Sequence, residues 1–245
     1  MILEILNFDW SDNVTRDVNI RSEYEEERDM PEESEHDPVL DQMIEGPDPE
    51  VNETQENVEP VVTRRLAPEN DVPTIYNDCW TALQWVTSHA NKDDSVITNT
   101  FTNYDPWLKT YGDFDKLFLG GDSAGGNIVF TMTMRAGKES LNCGVGICGS
   151  ILAFPYFLIE NIDQEGIPYK IWINICPSLE QGLSVMDSPM INPLAKNVPS
   201  LSVLGCSRLL VCIAEKDEYI SGETLIRFVE GVKKSGWNGE LKFKK

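Results

Sequence analysis

Lys116-Leu117-Phe118-Leu119-Gly120-Gly121-Asp122-Ser123-Ala124-Gly125-Gly126-Asn127 decides how this chain reads. Its first four residues predict a short buried strand. Asn127-Ile128-Val129-Phe130-Thr131-Met132 reads as the start of a helix. Between them, Gly121-Asp122-Ser123-Ala124-Gly125 fits G-x-S-x-G, a sharp strand-to-helix turn that lifts a serine hydroxyl out of the sheet. Glycines remove side chains that would clash in so tight a turn. The Ala124 backbone N–H would then point at a substrate oxyanion, aided by the positive start of the helix. Ser123 is therefore the candidate nucleophile and Ala124 the candidate oxyanion donor. Five small residues alone would also suit an ordinary loop; the flanking strand and helix favour the turn.

Charge divides the chain. Residues 1–60 carry 20 acidic and 3 basic side chains, a net of −17, and the remaining 21 acidic and 17 basic residues leave −4 for 61–245. Glu23 to Asp48 is dense in carboxylates and prolines and poor in apolar residues. Such a segment cannot offset its ordering entropy, so residues 1–60 are expected to be disordered and 61–245 to form the folded domain. No basic footprint for nucleic acid is present. No stretch approaches the roughly 18 apolar residues of a membrane span, and Met1-Ile2-Leu3-Glu4-Ile5-Leu6 has no basic leader pattern. Cysteines 79, 143, 148, 176, 206 and 212 form no C-x-x-C pair and read as reduced thiols, not as a disulfide framework or zinc site. The expectation is a cytoplasmic protein, with nuclear residence also open.

Outward from the serine, periodicity predicts a helix over 76–90, with Tyr76, Cys79, Trp80, Leu83 and Val86 on one stripe. Further strands are expected at 61–63, 149–154, 208–214 and 241–243, and helices over 124–135 and 222–235. Residues 91–115 read as a polar connection and 155–205 as irregular. Strands alternating with helices imply an α/β fold with a parallel sheet covered by helices.

From about residue 61 onward the chain resembles a plant carboxylesterase of the hormone-sensitive-lipase-like α/β-hydrolase group. Its members include tuliposide-converting enzymes, hydroxyisoflavanone dehydratase and the gibberellin receptor. The likeness rests on Arg65-Leu66-Ala67-Pro68-Glu69, on Asp78-Cys79-Trp80-Thr81-Ala82-Leu83-Gln84-Trp85-Val86, and on Gly121 to Asn127. It continues through Pro189-Met190-Ile191-Asn192-Pro193 and Ala214-Glu215-Lys216-Asp217. The resemblance implies an α/β-hydrolase fold, a small-molecule ester substrate and no metal or organic cofactor. It assigns Ser123 as nucleophile and Asp217 as the acid that orients a histidine. Oligomeric state is left open.

Two parts of the family pattern find no match. The His-Gly-Gly-Gly oxyanion loop should precede Arg65, where the acidic segment stands. The histidine should follow the last strand, in the order Ser, Asp, His. Only His36 and His89 are present, and His89 reads as an ordinary surface residue at a helix end. The sheet is accordingly expected to be incomplete, with strand 116–119 at an exposed edge. The expectation is a carboxylesterase-like serine hydrolase, truncated at both ends and impaired. The alternatives are a non-catalytic ligand-binding protein of hydrolase shape and a truncated product without function.

Overall fold

Leu117-Phe118-Leu119 and Leu209-Leu210-Val211 are uninterrupted apolar triplets, and both lie in strands of a parallel sheet, where the two faces are buried together. The computed structural model describes residues 65, 67, 69–91, 105–159, 165–176, 187–196 and 198–245. All belong to one of the chain's two compact units; the other, Asp9–Val61, lies outside the described residues, as do the expected disorder of 1–60 and the expected strand 61–63.

Four strands run in parallel in their sequence order: β1 (Leu117–Asp122), β2 (Ile147–Ala153), β3 (Arg208–Cys212) and β4 (Glu240–Lys244). The helices are α1 (Val72–Ser88), α2 (Pro106–Tyr111), α3 (Ala124–Ala136), α4 (Ile167–Ile175) and α5 (Gly222–Lys234). Crossover helix α3 joins β1 to β2, and α5 joins β3 to β4, the usual way to connect parallel neighbours. β1 is the terminal strand among the described residues, yet Leu117, Phe118 and Leu119 are all buried.

Local chemistry sets the helix limits. Asp71 caps α1 by accepting the Thr74 N–H at 3.0 Å, and hydrogen bonding from the Thr74 hydroxyl, with that N–H, holds its carboxyl below the usual carboxylate range. Ser221 caps α5 by accepting the Thr224 N–H, and Lys233 and Lys234 suit the negative end of the helix. Arg65 grips Asp78 of α1 with two guanidinium bonds, at 2.7 and 3.0 Å, joining two of the motifs singled out in the sequence.

Helices α1, α3 and α5 share one face of the sheet. Tyr76 and Trp80 of α1 meet Asn127 and Arg135 of α3, and Phe130 of α3 meets Phe228 of α5. Phe130, Phe157 and Phe228 form a three-ring cluster with centroids 4.9–5.5 Å apart. Two helices stand where the sequence suggested connections. α4 falls within the stretch read as irregular, and buries Trp172. α2, six residues long, starts at Asp105-Pro106.

Phe228 is fully buried between two rings. Phe228→Ala is expected to cost about 3–5 kcal/mol, the range for truncating a core aromatic. Urea unfolding measures it; a loss below about 1 kcal/mol would show that the cluster does not hold α3 to α5.

Candidate active site

The register fixes the site. Asp122 of β1 pairs with Ala153 of β2, and Ala153 pairs with Cys212 of β3. The three strands therefore end in one row, and the residues just beyond them share the carboxyl edge of the sheet. Loops at such an edge are where open α/β sheets bind ligands.

Ser123 leaves β1 at φ 47° and ψ −117°, the left-handed half of backbone space that a side chain rarely occupies. Such strain costs about 1–3 kcal/mol and persists only where neighbours hold it. The Ser123 N–H donates to Ala153 O at 3.0 Å. The Ser123 carbonyl accepts the N–H groups of Tyr156 at 2.9 Å and of Asn127 at 3.1 Å. Its side chain makes no capping bond to α3, and Ser123 and Ala124 are both exposed. The hydroxyl and the first N–H of α3 thus open together at the edge. A Cβ added to Gly121 would lie 2.5 Å from the Gly125 carbonyl carbon and oxygen, so the strand end and the helix start touch backbone to backbone.

Phe154 adds a second strained position, at φ 33°, just past β2. Its N–H donates to Cys212 O at 2.8 Å. No feature of the sequence pointed to it.

Asp217 follows β3 on the loop into α5. Its Oδ1 accepts the Tyr219 and Ile220 N–H groups, at 2.8 and 2.9 Å. Those bonds fix the carboxylate plane, and Oδ2 has no hydrogen-bond partner among the described residues. Ser123 and Asp217 therefore stand on the same edge, at the ends of β1 and β3.

His89 is not part of this arrangement. It is 2% exposed, not a surface residue. Its Nδ1 lies 2.8 Å from Trp85 O, and its Nε2 accepts the Asp105 N–H at 2.8 Å. Nδ1 therefore carries the proton, and both ring nitrogens are spent closing α1 against the start of α2. His36 lies outside the described residues.

A groove of about 530 Å³ opens beside the candidate residues. Phe157, Leu158 and Ile159 form one wall, and Tyr219, Ile220 and Thr224 another. Glu218, Glu223 and Arg227 add charged groups to the lining, which does not include Asp217. Ser123 itself does not line the groove. Among the described residues no group of three or more His, Cys, Asp or Glu is placed to hold a metal ion, and no helix is long and apolar enough to cross a membrane. None of the six cysteines is in a disulfide.

Comparison with known proteins settles the family. Residues 60–227 match the model of the alpha/beta hydrolase fold. This chain belongs to the α/β-hydrolase family. Within that family it is carboxylesterase-like. It is 45% identical over 185 residues to Hydrolase 3 of Catharanthus roseus, covering 74% of this chain and 56% of the relative. It is 40% identical over 185 residues to 2-hydroxyisoflavanone dehydratase of Glycyrrhiza echinata, covering 72% and 53%. It is 39% identical over 198 residues to probable carboxylesterase 13 of Arabidopsis thaliana, covering 74% and 54%. The chain spans about half the length of these relatives.

The backbone contact at Gly121 leaves no room for a methyl group. Gly121→Ala is expected to cost about 1–3 kcal/mol through overpacking. Gly146→Ala has open space around the new Cβ and should stay within about 0.5 kcal/mol of wild type. Equal unfolding midpoints for the two variants would refute the close approach.

Proposed function

We propose that this α/β-hydrolase chain carries the nucleophile and acid of a serine esterase acting on small carboxylic esters. Ser123 attacks the acyl carbon, the Ala124 N–H stabilises the oxyanion, and Asp217 orients and stabilises an imidazolium. The strained backbone of Ser123, with its side chain uncommitted at the carboxyl edge, is the observation that carries the reading. The Asp217 loop supports it, because Oδ1 is anchored and Oδ2 is left for a partner.

A serine hydroxyl needs a base, and none of the described residues supplies one. His89 is committed to backbone groups on both nitrogens. Removing the histidine of a comparable triad costs on the order of a million-fold in kcat. The 245-residue chain is therefore expected to hydrolyse short p-nitrophenyl esters near background, with Ser123→Ala changing the rate little. An acyl-enzyme burst that vanishes in Ser123→Ala would keep Ser123 as nucleophile and overturn the impairment.

The roles themselves are tested by a chimera. The parts of Hydrolase 3 outside the 185 matched residues are joined to this chain as the source of a base and further oxyanion donors. The chimera should hydrolyse short acyl esters. Ser123→Ala should abolish that activity, and Asp217→Asn should lower kcat by about 10⁴-fold through the wrong histidine tautomer. A folded, active chimera indifferent to both substitutions would remove these assignments.

A further inference from the structure

Asn127 stands in the motif that opens the helix after the serine, and its side chain reaches three separate segments. Its Nδ2 donates to Tyr156 O at 3.0 Å and to Met190 O at 2.8 Å. Its Oδ1 accepts the Tyr76 hydroxyl of α1 at 2.5 Å. Its backbone N–H donates to Ser123 O. Asn127 is 3% exposed and Tyr76 8%, so these bonds form away from water, where losing one is most costly.

The bonds close a ring around the serine. Ser123 O accepts from Tyr156 N–H, and Tyr156 O accepts from Asn127 Nδ2. Asn127 N–H then returns to Ser123 O. The Tyr156 peptide is thereby held on both sides, and with it the carbonyl of the strained residue. The amide has one workable orientation. Two carbonyls demand its NH₂, and the Tyr76 hydroxyl then satisfies Oδ1. Burial raises the Tyr76 pKa above the ordinary tyrosine value, so the hydroxyl stays a donor across working pH.

We propose that Asn127, oriented by Tyr76, is a positioning residue that holds the strained backbone of Ser123 and couples it to the loop carrying Met190. As a catalytic statement this rests on Ser123 being the nucleophile; the mechanical coupling does not. A side chain that merely filled the interface would leave the Ser123 carbonyl and the Tyr156 peptide unaffected by its loss, beyond any general loss of stability.

The test uses the full chain. Asn127→Asp keeps the shape and replaces two donors by acceptors. Tyr76→Phe removes only the hydroxyl. Val229→Ala, in the buried face of α5, serves as a control compared at equal distance below Tm. NMR follows amide exchange at Tyr156. Asn127→Asp should speed that exchange about tenfold or more over the control, and Tyr76→Phe about threefold, as local openings near the serine become cheaper. Tyr156 exchange in Asn127→Asp equal to that in Val229→Ala overturns the proposal. If Asn127→Asp does not fold, Tyr76→Phe decides alone, and unchanged exchange there overturns it. A second arm follows fluorophosphonate labelling of Ser123. Labelling that falls in the same order supports the catalytic statement. The labelling arm is run on the histidine-bearing chimera described above, where failure of Ser123 to label counts against the nucleophile reading while the exchange arm still decides the coupling.

Discussion

Three backbone hydrogen bonds close the carboxyl edge of the sheet, and the candidate site depends on them. Ser123 N–H donates to Ala153 O, Phe154 N–H to Cys212 O, and Ile213 N–H to Lys244 O, at 2.8–3.0 Å. Each joins the residue just past one strand to the last residue of the next. Together they bring three chain reversals to one line. Ser123 and Phe154, two of the three non-glycine residues with positive φ among the described residues, lie on that line. A one-residue slip could not relieve them cheaply, because it would carry Leu119, Leu152 and Val211 off the sheet face that packs in the main core cluster.

The polar groups buried behind this edge are nearly all paired. Thr133 and Ser150 share a hydroxyl bond of 2.7 Å between α3 and β2, and Asn127 satisfies both ends of its amide. Among the described residues, two buried atoms have no partner: Trp172 Nε1 and Ser188 Oγ. They stand on either side of residues 177–186 in the chain. Unpaired buried polar atoms are rare enough in folded proteins to mark where a contact belongs.

Much of this was legible in the sequence because the signals are local. The strands at β1, β2, β3 and β4 and the helices α1, α3 and α5 fall within a few residues of the periodic pattern. Gly121-Asp122-Ser123-Ala124-Gly125 announced its own geometry, since only a turn needing close backbone approach calls for those glycines. α4 was missed for a physical reason. Its sequence, Ile-Pro-Tyr-Lys-Ile-Trp-Ile-Asn-Ile, carries four β-branched residues and starts at Gly166 with no side-chain cap. Packing of Trp172 sustains it instead. The burial of His89 was equally hidden, because its partner is a backbone N–H 16 residues away at Asp105. The role of Asn127 depends on Tyr76, Tyr156 and Met190, three residues brought together only by the fold.

The strain at Ser123 therefore has two separable sources. The glycines permit it, and a set of hydrogen bonds from α1, α3 and the chain after β2 maintains it. None of those bonds involves a base or a substrate. The turn belongs to the fold and forms whether or not a histidine ever faces the hydroxyl. An observed outlier at Ser123 licenses a hypothesis about function, but the hydrogen bonds that hold it are backbone and core bonds and not contacts to a reacting group. Proton transfer needs a base that these contacts neither supply nor require, so the geometry of the serine and the competence of the site are independent properties of this protein.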